Sequence, residues 1–324
     1  MSTKPLLIEL FTEELPPKAL RRLGASFAQS LFDSLAKVHL VAADSPFKSY
    51  ATPRRLAVCI EGVLSQAPEQ EFAEKLMPVK VGLDANGQAT PALIKKLASK
   101  GLEHLSVEQL SRESDGKQDY LVAKGQAAGV KLSNHLQTAL DQAIENLPIP
   151  KVMRYQLADG KTSVKFVRPV HGLVALHDNE IIPVSALGMQ AGNTTNGHRF
   201  MGARTIQLQN ATSYAEQLAN EGMVIASYEE RLAKIQDLLA AQADALNLTI
   251  GEGQEVSDLL EEVTSLVEHP TIYVGQFEPK FLAVPPECLI LTMRLNQKYF
   301  PLFDKRSGKL DNHFLIVSNM LVAD

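Results

Sequence analysis

An apolar run that carries three acids and ends on two prolines constrains this chain more than any other segment. Leu6 to Leu10 reads as a buried strand, and Pro16-Pro17 starts a helix that runs through Lys18 to about Val38. Glu9, Glu13 and Glu14 therefore fall at or near a strand-to-helix junction. Such turns are exposed, held by a rigid scaffold and often functional. Three acids there can ligate a metal, act as acid–base groups, or pair with basic residues elsewhere in the chain. A plainer reading also holds, because Glu in the first turn of a helix is favoured by the helix dipole.

The length of 324 residues suits two domains or one compound domain. With 45% hydrophobic residues the chain can bury a substantial core, and 21% charged residues is ordinary. A formal charge of −5 gives no global nucleic-acid signal. The charge is uneven, however: Lys151 to Arg204 holds seven Lys/Arg against three acids. Cys59 lies in a strand-like run and Cys288 in a helix-like one, so each is expected to be a small buried hydrophobe. No Cys/His group has zinc spacing. The apolar strand near the N-terminus is too short for a secretory core, and no run reaches the length of a membrane span. A cytoplasmic, reduced chain is expected.

The fold class predicted is α+β, with mixed or antiparallel sheets and packed helices, because the strands are too scattered for a βαβ series. Strands are expected at Leu56–Val63, Asp119–Ala123, Ser163–Val167, Leu173–Leu176, Ile181–Ala186, Thr271–Val274, Tyr299–Phe303 and Phe314–Val317. Helices are expected at Thr90–Lys100, Lys131–Leu147, after the capping box Ser227-Tyr228-Glu229-Glu230, at Glu255–Glu268 and at Glu287–Asn296. Leu147-Pro148-Ile149-Pro150 is a stiff extended joint. It divides the chain into an N-terminal region, 1–147, and a second region, 151–324, with basic loops.

No Walker loop, GxGxxG, GxSxG or HExxH is present. Four basic clusters remain. Thr52-Pro53-Arg54-Arg55 projects two guanidiniums that suit phosphate oxygens, or serves as a turn ion-paired with Glu13 or Glu14. Lys151 and Arg154 follow the proline joint. Arg168 and His171 lie in Lys165–His171, and His198 and Arg199 close the Gly/Asn/Thr-rich loop from Gly188 to Gly197. That loop suits a phosphate, a ribose or a carboxylate, and suits equally a structural role with a buried His198. His269-Pro270 reads as a helix terminus. Arg294 to Phe300 mixes donors with rings on which bases can stack, or forms a helix-to-strand turn with Tyr299 and Phe300 in the core. No His or Asp set completes a metal site around the acids.

In order along the chain, Leu7–Pro17, Ala51–Val58, Leu147–Arg154, Val164–His171, Gly197–Met201, Val224–Lys234, Leu259–Pro270 and Phe281–Pro301 resemble the β-subunit family of the bacterial heterotetrameric glycyl-tRNA synthetases. The likeness covers essentially the whole chain. It departs in length: members of that family run about twice as far, with a later HD-type helical domain and an anticodon-binding region. The chain is therefore expected to correspond to the N-terminal part. Tyr155 stands where the family pattern leads one to expect Trp.

The resemblance implies a share in ATP-dependent glycyl-tRNA formation. The aminoacylation site, and with it the use of ATP and Mg²⁺, then lies on an α subunit of an α2β2 tetramer. This chain would supply tRNA(Gly) binding and assembly, with no catalytic residue, cofactor or metal of its own. The expected tRNA or phosphate contacts are Arg54, Arg55, Lys151, Arg154, Arg168, His198 and Arg199, while Glu9, Glu13 and Glu14 become ion-pair partners. The resemblance also implies a fold similar to the editing-type domain of the phenylalanyl-tRNA synthetase β subunit. Two other roles stand beside the first. One is a hydrolytic editing module using the Gly188–Phe200 loop, His198 and Glu9 or Glu13; the other is a structural scaffold.

Overall fold

The computed structural model describes residues 2–114, 116–157 and 159–322. It divides into two compact units, one of residues 66–131 and the other of residues 1–65 and 132–324. The division thus falls at 65/66 and 131/132, and the Leu147–Pro150 joint lies inside the larger unit. The reason is a pairing distant in sequence: the Leu132 amide donates to Ser65 O at 2.9 Å, closing the larger unit across the excursion.

In the larger unit, β1 (Thr3–Thr12) is followed by α1 (Leu20–Lys37), β2 (Phe47–Thr52) and β3 (Arg55–Leu64). β1 pairs antiparallel with β3, Glu9 opposite Ala57 and Phe11 opposite Arg55. Seven consecutive β1 residues from Leu6 are buried, because the sheet is covered on both faces. α1 buries Leu20, Leu23, Phe27, Leu31 and Leu35 at helical spacing. Each such side chain is worth about 1.5–3 kcal/mol when taken from water. Gly24 lets the helix approach β2, since a Cβ there would sit 2.7 Å from Ala51 Cβ. Pro17 opens a 3-10 turn before α1, so the helix begins three residues later than the double proline suggests.

The smaller unit is a three-stranded antiparallel sheet of β4 (Gln70–Pro78), β5 (Leu110–Ser114) and β6 (Asp119–Ala127), with β6 central. Its helix α2 (Pro91–Ser99) starts on Thr90, whose hydroxyl accepts from Leu93 N. Leu93 and Leu97 pack with Leu76, Leu83 and Leu121 in its core.

The larger unit resumes with α3 (Leu132–Glu145), where His135 Nε2 lies 3.1 Å from Ser34 Oγ of α1. A hairpin of β7 (Met153–Gln156) and β8 (Ser163–Phe166) precedes β9 (Val170–His177) and β10 (Glu180–Ile181). The Ile181–Ala186 strand expected from sequence is broken into Glu180–Ile181 and Ser185–Ala186. Pro183 stands between them and has no amide to donate to a ladder. The sheet order is β10-β9-β1-β3-β2. On its face away from α1, Leu7, Tyr50, Cys59, Val174 and Leu176 pack with Ile206, Leu208 and α4 (Tyr214–Asn220).

α5 (Tyr228–Ala245), with Ser227 Oγ accepting from Glu230 N, leads through β11 (Leu248–Thr249) to α6 (Gln254–Thr264). β12 (Thr271–Gln276), α7 (Pro286–Leu291), β13 (Phe300–Asp304) and β14 (Leu310–Ser318) complete the chain, the sheet running β11-β13-β14-β12. Phe300, Leu302 and Leu315 meet Ile235, Leu239, Leu259 and Leu260 in the core. Tyr299 stacks on Phe314 with centroids 4.9 Å apart. α7 passes into a π turn, Thr292–Gln297, that ends on Lys298 at φ 58°.

Of the two thiols, only Cys59 is buried; Cys288 is exposed, against expectation, because α7 buries none of its residues. Burial, then the nearby Glu61 carboxylate, pushes the Cys59 thiol up to about 11. An aromatic disulfide reagent at neutral pH is expected to titrate one thiol in the native chain and the second only on unfolding. Two fast thiols would contradict the placement of Cys59.

Candidate functional site: a buried ion-pair network beneath a cationic rim

Glu9 enters the interior because β1 alternates: Leu6, Ile8 and Leu10 take one face, and Leu7 and Glu9 the other. A carboxylate this deep needs partners for both oxygens. Thr195 Oγ1 donates to one and the Tyr214 hydroxyl to the other. Arg55 Nε lies 3.7 Å from Glu9 Oε2, and Arg55 Nη1 lies 3.4 Å from Oε1 of Glu268, which follows α6. These are ion pairs without hydrogen-bond geometry at those two nitrogens. Arg55 Nη2 donates to Asn196 O at 2.8 Å, and Thr52 Oγ1 donates to Glu268 at 2.7 Å. Glu9, Arg55 and Glu268 are at most 2% exposed. Burial alone would lower the Arg55 pKa; Glu268 and Glu9 outweigh it and raise it. Burial, then Glu9, drives the Tyr214 phenol well above its ordinary range, so it donates rather than ionises.

Beside this network, Arg231 of α5 is fully buried and braced by carbonyls of Ala51, Ile225, Ser227 and Thr264. Burial lowers its pKa to about 10. Its signal was present in the sequence, since it shares the i, i+4 stripe of Ile235, Leu239 and Ala243. Glu268, Tyr214 and Thr195 had no such mark.

The rim is built on the turn after β1. Thr12 N donates to Arg54 O, Leu15 N to Pro53 O and Glu13 N to Pro169 O, at 2.7, 2.7 and 2.9 Å. Those bonds seat Glu13 among two guanidiniums and an imidazole. His171 Nε2 is 3.0 Å from Glu13 Oε1, Arg199 Nη2 is 3.2 Å from Oε2, and Arg54 Nη2 is 3.9 Å from Oε1. Arg54 lies over the Phe11 ring, 4.8 Å from its centroid, and its Nε is buried without a partner. Burial, then Arg199, holds Arg54 below the usual guanidinium range. Arg168 is tied to the same turn, its Nε donating to Glu14 O at 2.8 Å. A groove of about 220 Å³ opens beside His171, lined also by Phe11, Gln190, Thr194, Thr195 and Asn196.

Several expectations change. Arg55 cannot meet an outside phosphate, because it is spent between two buried carboxylates. His198 is also buried, its amide bonded to Gly222 O at 2.7 Å and its Nδ1 accepting from Phe200 N. Neither His198 nor Glu9 lines the groove, and Glu9 has no free oxygen with which to position a water. Glu13 and Glu9 meet arginines, while Glu14 joins the site through its carbonyl. Lys151 and Arg154 are exposed, with Arg154 opposite Lys165 in the β7–β8 hairpin. Among the described residues, no ion pair or hydrogen bond links either to Glu13. Tyr155, in the place of the expected Trp, accepts from Val170 N through its hydroxyl.

Fold and site together define a mixed α/β protein of antiparallel sheets in which a buried carboxylate–arginine network supports a cation-rich turn. The chain belongs to the glycyl-tRNA synthetase β subunit family, whose model matches residues 6–324. It is 55% identical over 328 residues to the glycine–tRNA ligase beta subunit of Methylobacillus flagellatus, covering 98% of this chain and 46% of that protein. The corresponding subunits of a Janthinobacterium species and of Leptothrix cholodnii are 54% and 55% identical, each matched over 100% of this chain. The chain thus spans about half the length of the curated relatives it matches. Among the described residues, no helix is long and apolar enough to cross a membrane.

Proposed function

We propose that this chain supplies tRNA contacts and subunit assembly to ATP-dependent glycyl-tRNA formation. Glycine, ATP and tRNA(Gly) give glycyl-tRNA, AMP and diphosphate on an α subunit, in an α2β2 tetramer of the cytoplasm. ATP and Mg²⁺ belong to the α subunit in this reading. The proposal carries with it a kinship of fold to the editing-type domain of the phenylalanyl-tRNA synthetase β subunit.

The observation that carries the reading is the gathering of Arg54, Arg168, His171 and Arg199 around one turn, that of Glu13 and Glu14, in an otherwise acidic chain. Family membership supports it. Guanidiniums and an imidazole N–H at such a turn fit phosphates, whose contacts with charged groups release counterions and make affinity fall with salt. Binding of a tRNA(Gly) transcript, titrated from low to moderate salt, tests this. Arg168→Glu and Arg199→Glu are each expected to weaken binding and to reduce the slope of log affinity against log salt by about 1. Unchanged slopes in both folded variants would remove this turn from the tRNA-binding surface.

A further inference from the structure

We propose that Arg54, His171 and Arg199 form a phosphate-binding site whose place is held, in the free chain, by the carboxylate of Glu13. The inference deepens the reading above and rests on it only for the source of the phosphate.

The cluster is short of anionic charge. At ion-pair distance Arg54 and Arg199 share the single carboxylate of Glu13, and Glu268 acts on Arg54 only from further off. Glu13 spends one oxygen on His171 and one on Arg199. Arg54 is left 3.9 Å away, outside hydrogen-bond reach, with a buried Nε that nothing accepts from. An unpartnered buried donor is costly and uncommon. A tetrahedral anion has the additional oxygens that a carboxylate lacks, so it can keep the His171 and Arg199 bonds and also reach Arg54. Arg54 is pre-positioned for this by the Phe11 ring beneath it and by the backbone bond from Thr12 N to Arg54 O.

Glu13 is suited to give way. Its backbone is pinned to Pro169 O, yet its side chain is 39% exposed and can swing into water without breaking the turn. The three side chains come from three segments: the β2–β3 turn, β9 and the loop after Asn196. Each is separately anchored, so the pocket keeps its shape when the carboxylate leaves. A phosphate then replaces a bidentate carboxylate with more acceptor oxygens, and charge-assisted bonds from a planar guanidinium favour it.

Glu13→Gln removes the competitor at nearly constant volume. The test titrates the purified chain and its variants with two probes, a tRNA(Gly) transcript and inorganic pyrophosphate, at fixed salt. Glu13→Gln is expected to raise affinity about three- to tenfold, the scale of one like charge lifted from a partly exposed site. Arg54→Gln in that background is expected to abolish the gain. A gain with tRNA alone assigns the site to RNA backbone phosphate; a gain with pyrophosphate assigns it to a free phosphate compound. Either upholds the site. Unchanged or weaker binding of both probes by Glu13→Gln, with an unaltered melting curve, overturns it. If the parent chain fails to bind tRNA at all, the proposed tRNA role falls while the pyrophosphate arm still decides this site.

Discussion

Arg55→Ala is expected to cost about 3–5 kcal/mol of folding stability, a large part of the roughly 5–15 kcal/mol that holds a typical domain folded. Removing the guanidinium leaves Glu9 and Glu268 buried, each about 2% exposed or less, with their shared counter-charge gone. The hydroxyls of Thr195, Tyr214 and Thr52 remain, but neutral donors do not balance two buried negative charges. A cavity the size of an arginine side chain adds to the cost. Urea unfolding followed by circular dichroism reads the effect. The triple variant Arg55→Met, Glu9→Gln, Glu268→Gln separates charge from volume, because it removes all three charges and keeps an apolar filler. Recovery of most of the lost stability is expected there, since buried ion pairs often contribute little net stability while broken ones are costly. A loss under 1 kcal/mol in Arg55→Ala would mean that the network is open to water.

Gly202→Ala is expected to cost about 1–3 kcal/mol, towards the upper end, and to weaken anion binding at the rim as well. A Cβ at residue 202 would stand 2.0 Å from Gly222 O and 2.5 Å from Gly222 C. Gly197 packs on the same backbone, with Gly222 Cα 2.7 Å from where its own Cβ would be. Backbone cannot turn aside as a flexible side chain can, so the loop from Gly197 to Ala203 must lift. Lifting strains the bonds from His198 N to Gly222 O and from Ala203 N to Glu221 O, and it carries Arg199 away from Glu13. Thermal melting reads the first effect and pyrophosphate titration the second. Full stability in the alanine variant would show that the three glycines are not in close contact.

Much of the fold was legible locally. The strands β1 and β3, the helices α1 and α3, and the capped start of α5 follow from apolar spacing, from Pro16-Pro17 and from Ser227, because each depends on contacts within a few residues. The division into units was not. Ser65 and Leu132 meet across an excursion of more than sixty residues, and nothing in either one's local sequence marks the other. The Leu147–Pro150 joint has the composition of a boundary without the position of one. For the site, the basic and acidic residues of the first turn were visible, but their exposure was not. Arg54 and Arg55 are neighbours, and one belongs to the rim and the other to the core.

The sequence by itself determined the family, the strand-then-helix entry at Leu6–Lys37, and the supply of charge near Glu13. Those are properties of short segments and of their order. Only the tertiary structure decided that Glu9 would be locked between Thr195, Tyr214 and Arg55, and that Glu268 would close the network from more than two hundred residues away. It also decided that His171 and Arg199 would converge on Glu13. A buried charge is stable only where distant partners reach it, and an exposed cation binds only where its neighbours leave a donor free. Both conditions concern the arrangement of segments in space, and the order of residues along the chain does not contain them.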